Sequence, residues 1–238
     1  MLSELQDKLN GTLVVSCQAE AGTPLDSPEH IAAIAAAVVD GGASAVRIEG
    51  LRNIEAVRAR VDVPVIGLIK LHRGDTDVYI TPSVEDVERI ARAGAHIIAF
   101  DATSRPRPAA VSVLVEVAKA QGCTALADIS TIEEACSAIA AGADMVSTTM
   151  AGYTSYTSYT ATEAGPDFAL MSALRQADIP FAAEGRIWTP EEALHCFDLG
   201  ARFVVVGSAI TRPTLITQRF INRLSDVVAA PAFRRAHS

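Results

Sequence analysis

The chain alternates short apolar runs rich in valine and isoleucine with alanine-rich stretches whose apolar residues recur at helical spacing. The first pattern is typical of buried strands and the second of helices that pack on one face. It predicts eight strands, at 12–18, 45–50, 65–70, 96–101, 124–129, 145–150, 181–185 and 202–208. It predicts helices between and after them, at 28–40, 53–60, 83–93, 109–121, 131–141, 166–177, 189–199 and 213–226.

A finer repeat supports this count. The second, fourth, sixth and eighth predicted strands each follow a Gly-Ala step, in GGASAV, AGAHII, AGADMV and LGARFV, whereas the third and seventh follow a Val-Pro or Ile-Pro step. Eight βα units without a linker predict an α/β fold, a single (β/α)8 TIM barrel. A doubly wound open sheet is the rival, but the segment after the first strand, SCQAEAGTP, lacks the G-x-G-x-x-G turn of such folds.

The ends of the predicted elements agree with a barrel that fills the whole chain. We expect one domain over residues 1–238, with a short helix at 2–9 closing the barrel floor and a frayed tail at 227–238. Side chains that cap helices precede proline at Ser27-Pro28 and Thr189-Pro190, and residues 130–134 contain a capping box.

Polar residues close almost every predicted strand. In a (β/α)8 barrel the carboxyl ends of the strands carry the active site. The residues at these positions are Gln18, Arg47 with Glu49, Lys70, Asp101, Asp128, Thr148 with Thr149, Glu184 and Ser208. Any one of them could have an ordinary structural role, such as a helix cap or an Arg47–Glu49 ion pair. Polar residues at the carboxyl ends of so many strands together predict a polar site at that end of the barrel.

Side-chain alternation sharpens the prediction for two of these residues. Arg47 and Glu49 share one face of the second strand, so we expect Arg47 to point into the barrel mouth. Lys70 ends an apolar strand, and burying an ammonium is costly unless it is compensated. We expect its ammonium to meet Asp128 and Glu184 in the active site.

The loops after the seventh and eighth strands predict a phosphate site, because barrels of this type commonly bind phosphate there. The first loop contains Gly185 and Arg186, and the second contains Gly207, Ser208 and Arg212. Glycine allows a close approach of the backbone and arginine supplies charge. The alternative is that both glycines serve only as turn residues.

Three further segments have open roles. Residues 151–162, AGYTSYTSYTAT, are long for a βα loop and form either a mobile lid or a polar loop without a role. His72 is a base or a solvated loop residue, and the arginines within 101–108 contact an anionic ligand or solvent.

Composition narrows the function class. The formal charge of −8 argues against a nucleic-acid surface. The four cysteines show neither disulfide nor zinc spacing, so we expect no metal, and buried thiols in a reducing compartment. The N-terminus lacks a signal peptide, and the most apolar run, 31–39, is too short for a membrane span. These observations predict a cytoplasmic protein with no membrane partner, and they leave the oligomeric state open, with a homodimer as one candidate.

At this level of detail the chain resembles the N-acetylmannosamine-6-phosphate 2-epimerase family of bacterial sialic acid catabolism. The matching pieces run in order along nearly the whole chain: SCQA (16–19), VRIEG (46–50), GLIK (67–70), VYITPS (78–83), FDATSRPRP (100–108), LADIST (126–131), STTMAGYT (147–154), AEGRIWTPEEA (183–193) and VVGSAITRP (205–213). Trp188 departs from the family, since a histidine is common at that position.

The resemblance implies a cofactor-free epimerase acting on a small sugar phosphate. It assigns Lys70 as the catalytic lysine and Glu184 as its partner. Sugar contacts fall on Gln18, Arg47 and Asp128, with Thr149 added from its strand-end position. Phosphate contacts fall on Gly185, Gly207, Ser208 and Arg212, with Arg186 added from its place in the loop.

Epimerisation at C2 requires ring opening, removal of the C2 proton and its return to the other face. A lysine serves as the base only when it is neutral, so its pKa must be depressed. One-base and two-base versions, the second with Glu184, both stay open. The alternatives are a Schiff-base aldolase or lyase, a pentose-phosphate epimerase on the same barrel, and a sugar-phosphate sensor without catalysis.

Overall fold

The computed structural model describes residues 2–72, 74, 76–158 and 165–229. Eight parallel strands close into a barrel in sequence order, with β1 paired to both β2 and β8. The predicted (β/α)8 barrel is therefore confirmed. The strands are β1 (Thr12–Cys17), β2 (Ala45–Glu49), β3 (Val65–Leu68), β4 (Ile97–Asp101), β5 (Thr124–Asp128), β6 (Met145–Ser147), β7 (Phe181–Glu184) and β8 (Phe203–Val206).

Helices precede, connect and follow these strands. They are α1 (Leu2–Leu9), α2 (Pro28–Asp40), α3 (Leu51–Arg58), α4 (Val84–Arg92), α5 (Val111–Ala120), α6 (Ile132–Ala140), α7 (Phe168–Gln176), α8 (Pro190–Asp198), α9 (Ser208–Thr211) and α10 (Pro213–Ala229). The helix predicted at 213–226 continues to Ala229, and the rest of the predicted tail, from residue 230 onward, lies outside the described residues. Over the part of the chain that is described, no helix is both long and apolar enough to cross a membrane.

Hydrophobic side chains form two layers. Residues that alternate into the barrel, such as Val14, Ile66 and Val205, pack with one another and with Leu9 of α1 at the floor. The residues between them in sequence, such as Val15, point outward and pack beneath the helices. A barrel of this kind has a filled interior, and its active site lies at the carboxyl end of the strands.

The Gly-Ala repeat has a backbone cause. Gly42, Gly94, Gly142 and Gly200 follow α2, α4, α6 and α8, and their φ angles are +104°, +98°, +94° and +96°. A residue in this left-handed region ends a helix at little cost only when it is glycine. The alanine after each glycine is buried where the next strand begins.

The predicted caps are also present. The Ser27 side chain accepts a hydrogen bond from the His30 amide. Capping boxes join Thr131 to Glu134 and Thr189 to Glu192. These local bonds fix where α2, α6 and α8 begin, and hence the lengths of the loops at the carboxyl ends of the strands.

Three predicted strands are too long by two or more residues at their carboxyl ends. The eighth was expected to reach Ser208 but ends at Val206, just before α9. The third was expected to reach Lys70 but ends at Leu68, and Lys70 instead forms an isolated antiparallel bridge with Ile80. The sixth was expected to reach Met150 but ends at Ser147, where a 3-10 turn over Thr148–Met150 begins. After β3 and β6 the chain turns from the barrel wall into the site.

Candidate active site

A cavity of about 450 Å³ opens at the carboxyl end of the barrel. It has the size of a small-molecule site. It collects predicted site residues from six of the eight βα units. Its lining comprises Ser16, Gln18, Arg47, Lys70, Tyr79, Ile80, Thr149, Tyr153, Glu184, Gly185, Arg186, Ile187, Trp188, Val205, Gly207, Ser208, Thr211, Arg212 and Leu215.

Arg47 forms the centre of this cavity. Its side chain is 1% exposed, and it donates to both carboxylate oxygens of Asp128, at 3.1 and 2.6 Å. Its Nη1 also lies 3.0 Å from Glu184 Oε2. Burial alone would lower the pKa of Arg47, but the two acidic residues more than offset it and raise that pKa. The prediction that Arg47 points into the barrel mouth therefore agrees with the structure, whereas a structural Arg47–Glu49 pair does not.

Thr149 connects the two acidic residues. Its hydroxyl lies 2.8 Å from Asp128 Oδ1 and 3.0 Å from Glu184 Oε2. The 3-10 turn after β6 brings it inward, and Thr148 holds the turn against β7 by exchanging hydrogen bonds with the Glu184 backbone. Burial and the nearby Asp128 raise the pKa of Glu184, although Arg47 opposes them.

Lys70 lies at the side of the same cavity. Its Nζ donates to Gln18 Oε1 at 2.6 Å, and Gln18 Nε2 in turn donates to Ser16 Oγ at 2.9 Å. The expectation that the ammonium pairs with Asp128 and Glu184 is wrong among the described residues, because Arg47 occupies both oxygens of Asp128 and also pairs with Glu184.

The surroundings of Lys70 favour its neutral form. The residue is exposed at the open mouth, yet the walls of the cavity surround its ammonium closely enough to remove much of its water. This burial, together with the positive charge of Arg47, lowers the pKa of Lys70, while Glu49 and Glu184 act in the opposite direction. A lysine with a lowered pKa can act as a base.

The predicted phosphate residues line the cavity from the loops after β7 and β8. Gly185 has φ +108°, a conformation that favours glycine, and turns the chain after β7. A Cβ on Gly207 would lie 3.2 Å from Ser16 Cβ, so glycine lets β8 and the start of α9 approach β1. The guanidinium of Arg212 lies at the rim and pairs with the exposed carboxylate of Glu20.

Arg186 has a different environment from Arg212. Its Nε and Nη1 donate to the carbonyls of Gly165 and Ala151, each at 2.8 Å. Its guanidinium therefore ties the loop after β7 to the segment after β6, although the residue still lines the cavity.

Sequence reasoning missed the aromatic residues of the cavity wall. Tyr79, Tyr153 and Trp188 all line it. Tyr79 stacks on His72 with ring centroids 5.0 Å apart, so His72 packs against an aromatic ring. Trp188 carries the guanidinium of Arg219 from α10 over its ring at 4.8 Å. The positions of Tyr79 and Trp188 within the matched motifs were the available signal.

The loops of open role also have partners. Tyr156 in the loop after β6 donates to the buried carboxylate of Glu134, which anchors that part of the predicted lid. Residues 159–162 of the lid lie outside the described residues. In the loop after β4, Arg105 pairs with the buried Asp101 carboxylate, and Arg107 donates to the carbonyl of the same residue.

Within the described ranges, no group of three or more His, Cys, Asp or Glu side chains could hold a metal ion. The four cysteines are free; Cys17, Cys123 and Cys196 are buried, whereas Cys136 is exposed and differs from the expected buried thiols.

Comparison with known proteins places this geometry in a family. Residues 31–226 match the family model described as "Putative N-acetylmannosamine-6-phosphate epimerase". A relative from Clostridioides difficile, described as a putative N-acetylmannosamine-6-phosphate 2-epimerase, is 43% identical over 92% of this chain and 98% of its own. A relative from Yersinia pestis with the same description is 46% identical over 89% of each chain.

A solved structure agrees with these sequence relatives. The N-acetylmannosamine-6-phosphate 2-epimerase from Clostridium perfringens superimposes with a TM-score of 0.88 at 42% identity, covering 92% of this chain and 95% of that one. The fold, the length and the sequence thus agree over almost the whole molecule. The chain belongs to the N-acetylmannosamine-6-phosphate 2-epimerase family.

Proposed function

We propose that the protein is an epimerase that interconverts N-acetylmannosamine 6-phosphate and N-acetylglucosamine 6-phosphate in the catabolism of sialic acid and amino sugars, without a cofactor. The observation that carries the proposal is the pairing, in one cavity, of a lysine with a lowered pKa and a buried Arg47–Asp128–Glu184 cluster. The family and its named relatives supply the substrate.

Chemistry at C2 dictates the steps. The C2 proton is acidic only beside a carbonyl, so the ring first opens: the C1–O5 bond breaks, O5 gains a proton, and O1 loses one to give the C1 aldehyde. A base then takes the C2 proton, and the electron pair passes through a new C1–C2 double bond onto the C1 oxygen. Return of a proton to the other face of C2 restores the aldehyde with inverted configuration.

Lys70 is the group we assign to the C2 proton. Its bond to Gln18 fixes the position of Nζ, and its lowered pKa increases the neutral fraction that can accept a proton. Arg47 carries a positive charge at the centre of the cavity, where it can stabilise the enolate oxygen as charge develops. Glu184 takes part in the proton transfers of ring opening, and Thr149 and Gln18 contact the sugar. Asp128, predicted from the family resemblance to contact the sugar, is fully buried and holds the Arg47 guanidinium in place instead.

The phosphate group would lie at the side formed by Gly185, Gly207, Ser208 and Arg212. There Arg212 would exchange Glu20 for phosphate; that pair is exposed and therefore weak, so little is lost in the exchange. Arg186 would contribute its backbone N–H, because its guanidinium is bound to two carbonyls.

Proton NMR in D2O tests the function. N-acetylmannosamine 6-phosphate is mixed with the protein, and we expect N-acetylglucosamine 6-phosphate to appear with deuterium at C2, since the base exchanges its proton with solvent. A product that keeps its C2 proton would still be epimerisation, with the same proton returned. An unchanged substrate in the presence of folded protein would refute the proposed reaction.

A cytoplasmic location without nucleic-acid or membrane partners fits this reaction, because its phosphorylated substrates do not cross membranes unaided and the chain carries a net charge of −8. Fractionation of cells that express the protein tests the location. Recovery of the epimerase in the membrane fraction would contradict it.

We also propose that two copies form a homodimer through α10. Phe220, Ile221 and Leu224 lie on one side of this helix and are 67%, 56% and 58% exposed. In β1, Val14 points into the barrel, so its neighbour Leu13 points outward, and Leu13 is 37% exposed. Exchange of α10 between two copies would cover both Leu13 and the apolar face of this helix.

Analytical ultracentrifugation tests this assembly. We expect a dimer for the native chain and a monomer for the double variant Phe220→Asp with Ile221→Asp. Asn222→Asp is the matched control, because Asn222 is exposed on the other side of the same helix. A monomeric native chain would refute the homodimer.

A further inference from the structure

The hydroxyl of Thr149 has more oxygen neighbours than it has hydrogens. Its Oγ1 lies 2.8 Å from Ser147 Oγ, 2.8 Å from Asp128 Oδ1 and 3.0 Å from Glu184 Oε2. A hydroxyl donates one hydrogen bond and accepts up to two. If each of the three contacts is to hold its own hydrogen, three hydrogens are needed, and the hydroxyls of Ser147 and Thr149 supply two. A proton on one of the two carboxyl groups supplies the third; otherwise Thr149 shares its single hydrogen between two carboxylates.

The contacts of Asp128 identify which carboxyl group it is. Asp128 is fully buried, and its two oxygens accept both arms of the Arg47 guanidinium, as expected for the ionised form. Glu184 contacts Arg47 through one oxygen only, Oε2, which is also the oxygen that contacts Thr149, so it lacks the bidentate pairing of Asp128. The Thr149 hydrogen belongs to the shorter contact, with the anion Asp128. Glu184 then donates to Thr149, and Ser147 fills its remaining acceptor position.

We propose that Thr149 is a positioning residue that holds a proton on Glu184, so that Glu184 begins the reaction as a neutral acid. The catalytic consequence rests on the epimerase function proposed above, but the protonation state does not. If Glu184 were ionised instead, Thr149 would share its one hydrogen between Asp128 Oδ1 and Glu184 Oε2, which weakens both hydrogen bonds.

The electrostatics of the site agree with this arrangement. The charged groups that face Glu184 are Arg47 from β2, Asp128 from β5 and Lys70 beyond β3. Burial and Asp128 raise the pKa of Glu184 against the opposing effects of Arg47 and Lys70. With Glu184 neutral, the charges of Arg47 and Asp128 balance each other. One of the two anions that raise the pKa of Lys70 is then absent, and Glu49 remains.

A neutral Glu184 suits ring opening of the substrate. It can give its proton to O5 as the C1–O5 bond breaks, and its carboxylate can then take the proton that the O1 hydroxyl loses when the aldehyde forms. The site ends this step with the same number of protons, and Lys70 stays neutral for the C2 proton.

Carbon-13 NMR of ligand-free protein labelled at the glutamate δ-carbons tests the proposal. The Glu184 resonance is the one that disappears in Glu184→Gln. We expect it to titrate at a higher pH than exposed glutamates. In Thr149→Val the protonated form loses its acceptor, so the midpoint should fall by about half to one pH unit. Thr149→Ser keeps the hydroxyl and should keep the midpoint.

The sign of the shift decides between the two arrangements. A rise in the midpoint in Thr149→Val would mean that Thr149 donates to an ionised Glu184, and would overturn the proposal. So would a native Glu184 that titrates with the exposed glutamates. Circular dichroism verifies the fold, and Thr149→Ala takes the place of Thr149→Val if the latter does not fold. Because no substrate is present, a failure here leaves the epimerase assay unaffected, and failure of that assay leaves this result standing.

Discussion

Replacing Asp128 with asparagine tests the central ion pair at constant side-chain size. Arg47 is fully buried and donates to both oxygens of Asp128. Asparagine offers one acceptor and turns an N–H₂ group toward a second donor. Breaking a buried pair on one side typically costs about 3–5 kcal/mol, because the remaining charge is left without full compensation. Glu184 remains beside Arg47 and can ionise once the Asp128 charge that raises its pKa is gone, so we expect the lower end, about 3 kcal/mol.

The consequence for thermal stability can be measured directly. In a chain of this size 1 kcal/mol corresponds to roughly 2–4 °C in Tm, so Asp128→Asn should lower Tm by about 6–12 °C. Differential scanning calorimetry supplies Tm, and urea unfolding supplies the free energy. The matched control is Glu88→Gln, which removes the exposed carboxylate that pairs with Arg92 at 3.9 Å and should cost at most about 1 kcal/mol. If Asp128→Asn costs no more than Glu88→Gln, the central pair does not stabilise the barrel as described.

Three further predictions follow from the site and the barrel wall. Lys70→Ala should reduce kcat by at least about 10²-fold through loss of the base while leaving the circular dichroism spectrum unchanged, and near-normal turnover would remove Lys70 from the mechanism. The rate should fall on both sides of a pH optimum. It falls at low pH because Lys70, whose pKa is lowered, takes up a proton, and at high pH because Glu184, whose pKa is raised, loses its proton. A kcat/KM profile that still rises at the highest pH where the fold persists would contradict the role of Glu184. Gly67→Ala would place a Cβ 2.7 Å from Ala95 Cβ and should lower the free energy of unfolding by about 1–3 kcal/mol. In the control Gly74→Ala the added Cβ meets open space. Equal stability of the two variants would refute the steric argument.

The strand count and the barrel could be predicted from the sequence because their causes are local. Apolar alternation, the caps at Ser27 and Thr189, and the left-handed glycines before every second strand each depend on a few neighbouring residues. Since the carboxyl ends of parallel strands must meet in a closed barrel, the same reasoning predicted that Arg47 and Lys70 share a cavity.

The pairing within the cavity could not be predicted in this way. The sequence placed Lys70 beside Asp128 and Glu184, yet Arg47, from the second strand, takes that place. The choice depends on depth: Arg47 lies within β2 and is buried at the centre, whereas Lys70 lies beyond the end of β3. Within the described part of the chain, the Lys70 ammonium hydrogen-bonds to Gln18 and to no acid. Which cation reaches an acid is a property of three-dimensional distance and of the register between strands.

The sequence by itself determined the eight βα units, the end of the barrel that carries the site and the identity of its polar residues, because periodicity, caps and glycine conformation act over a few residues. The tertiary structure decided where β3 and β6 stop and which carboxyl group takes the bidentate bonds of Arg47. It also decided that the Thr149 hydroxyl lies between two acids. Those outcomes depend on contacts between residues as far as 81 positions apart in the chain, whose energies are set by burial and by hydrogen-bond geometry.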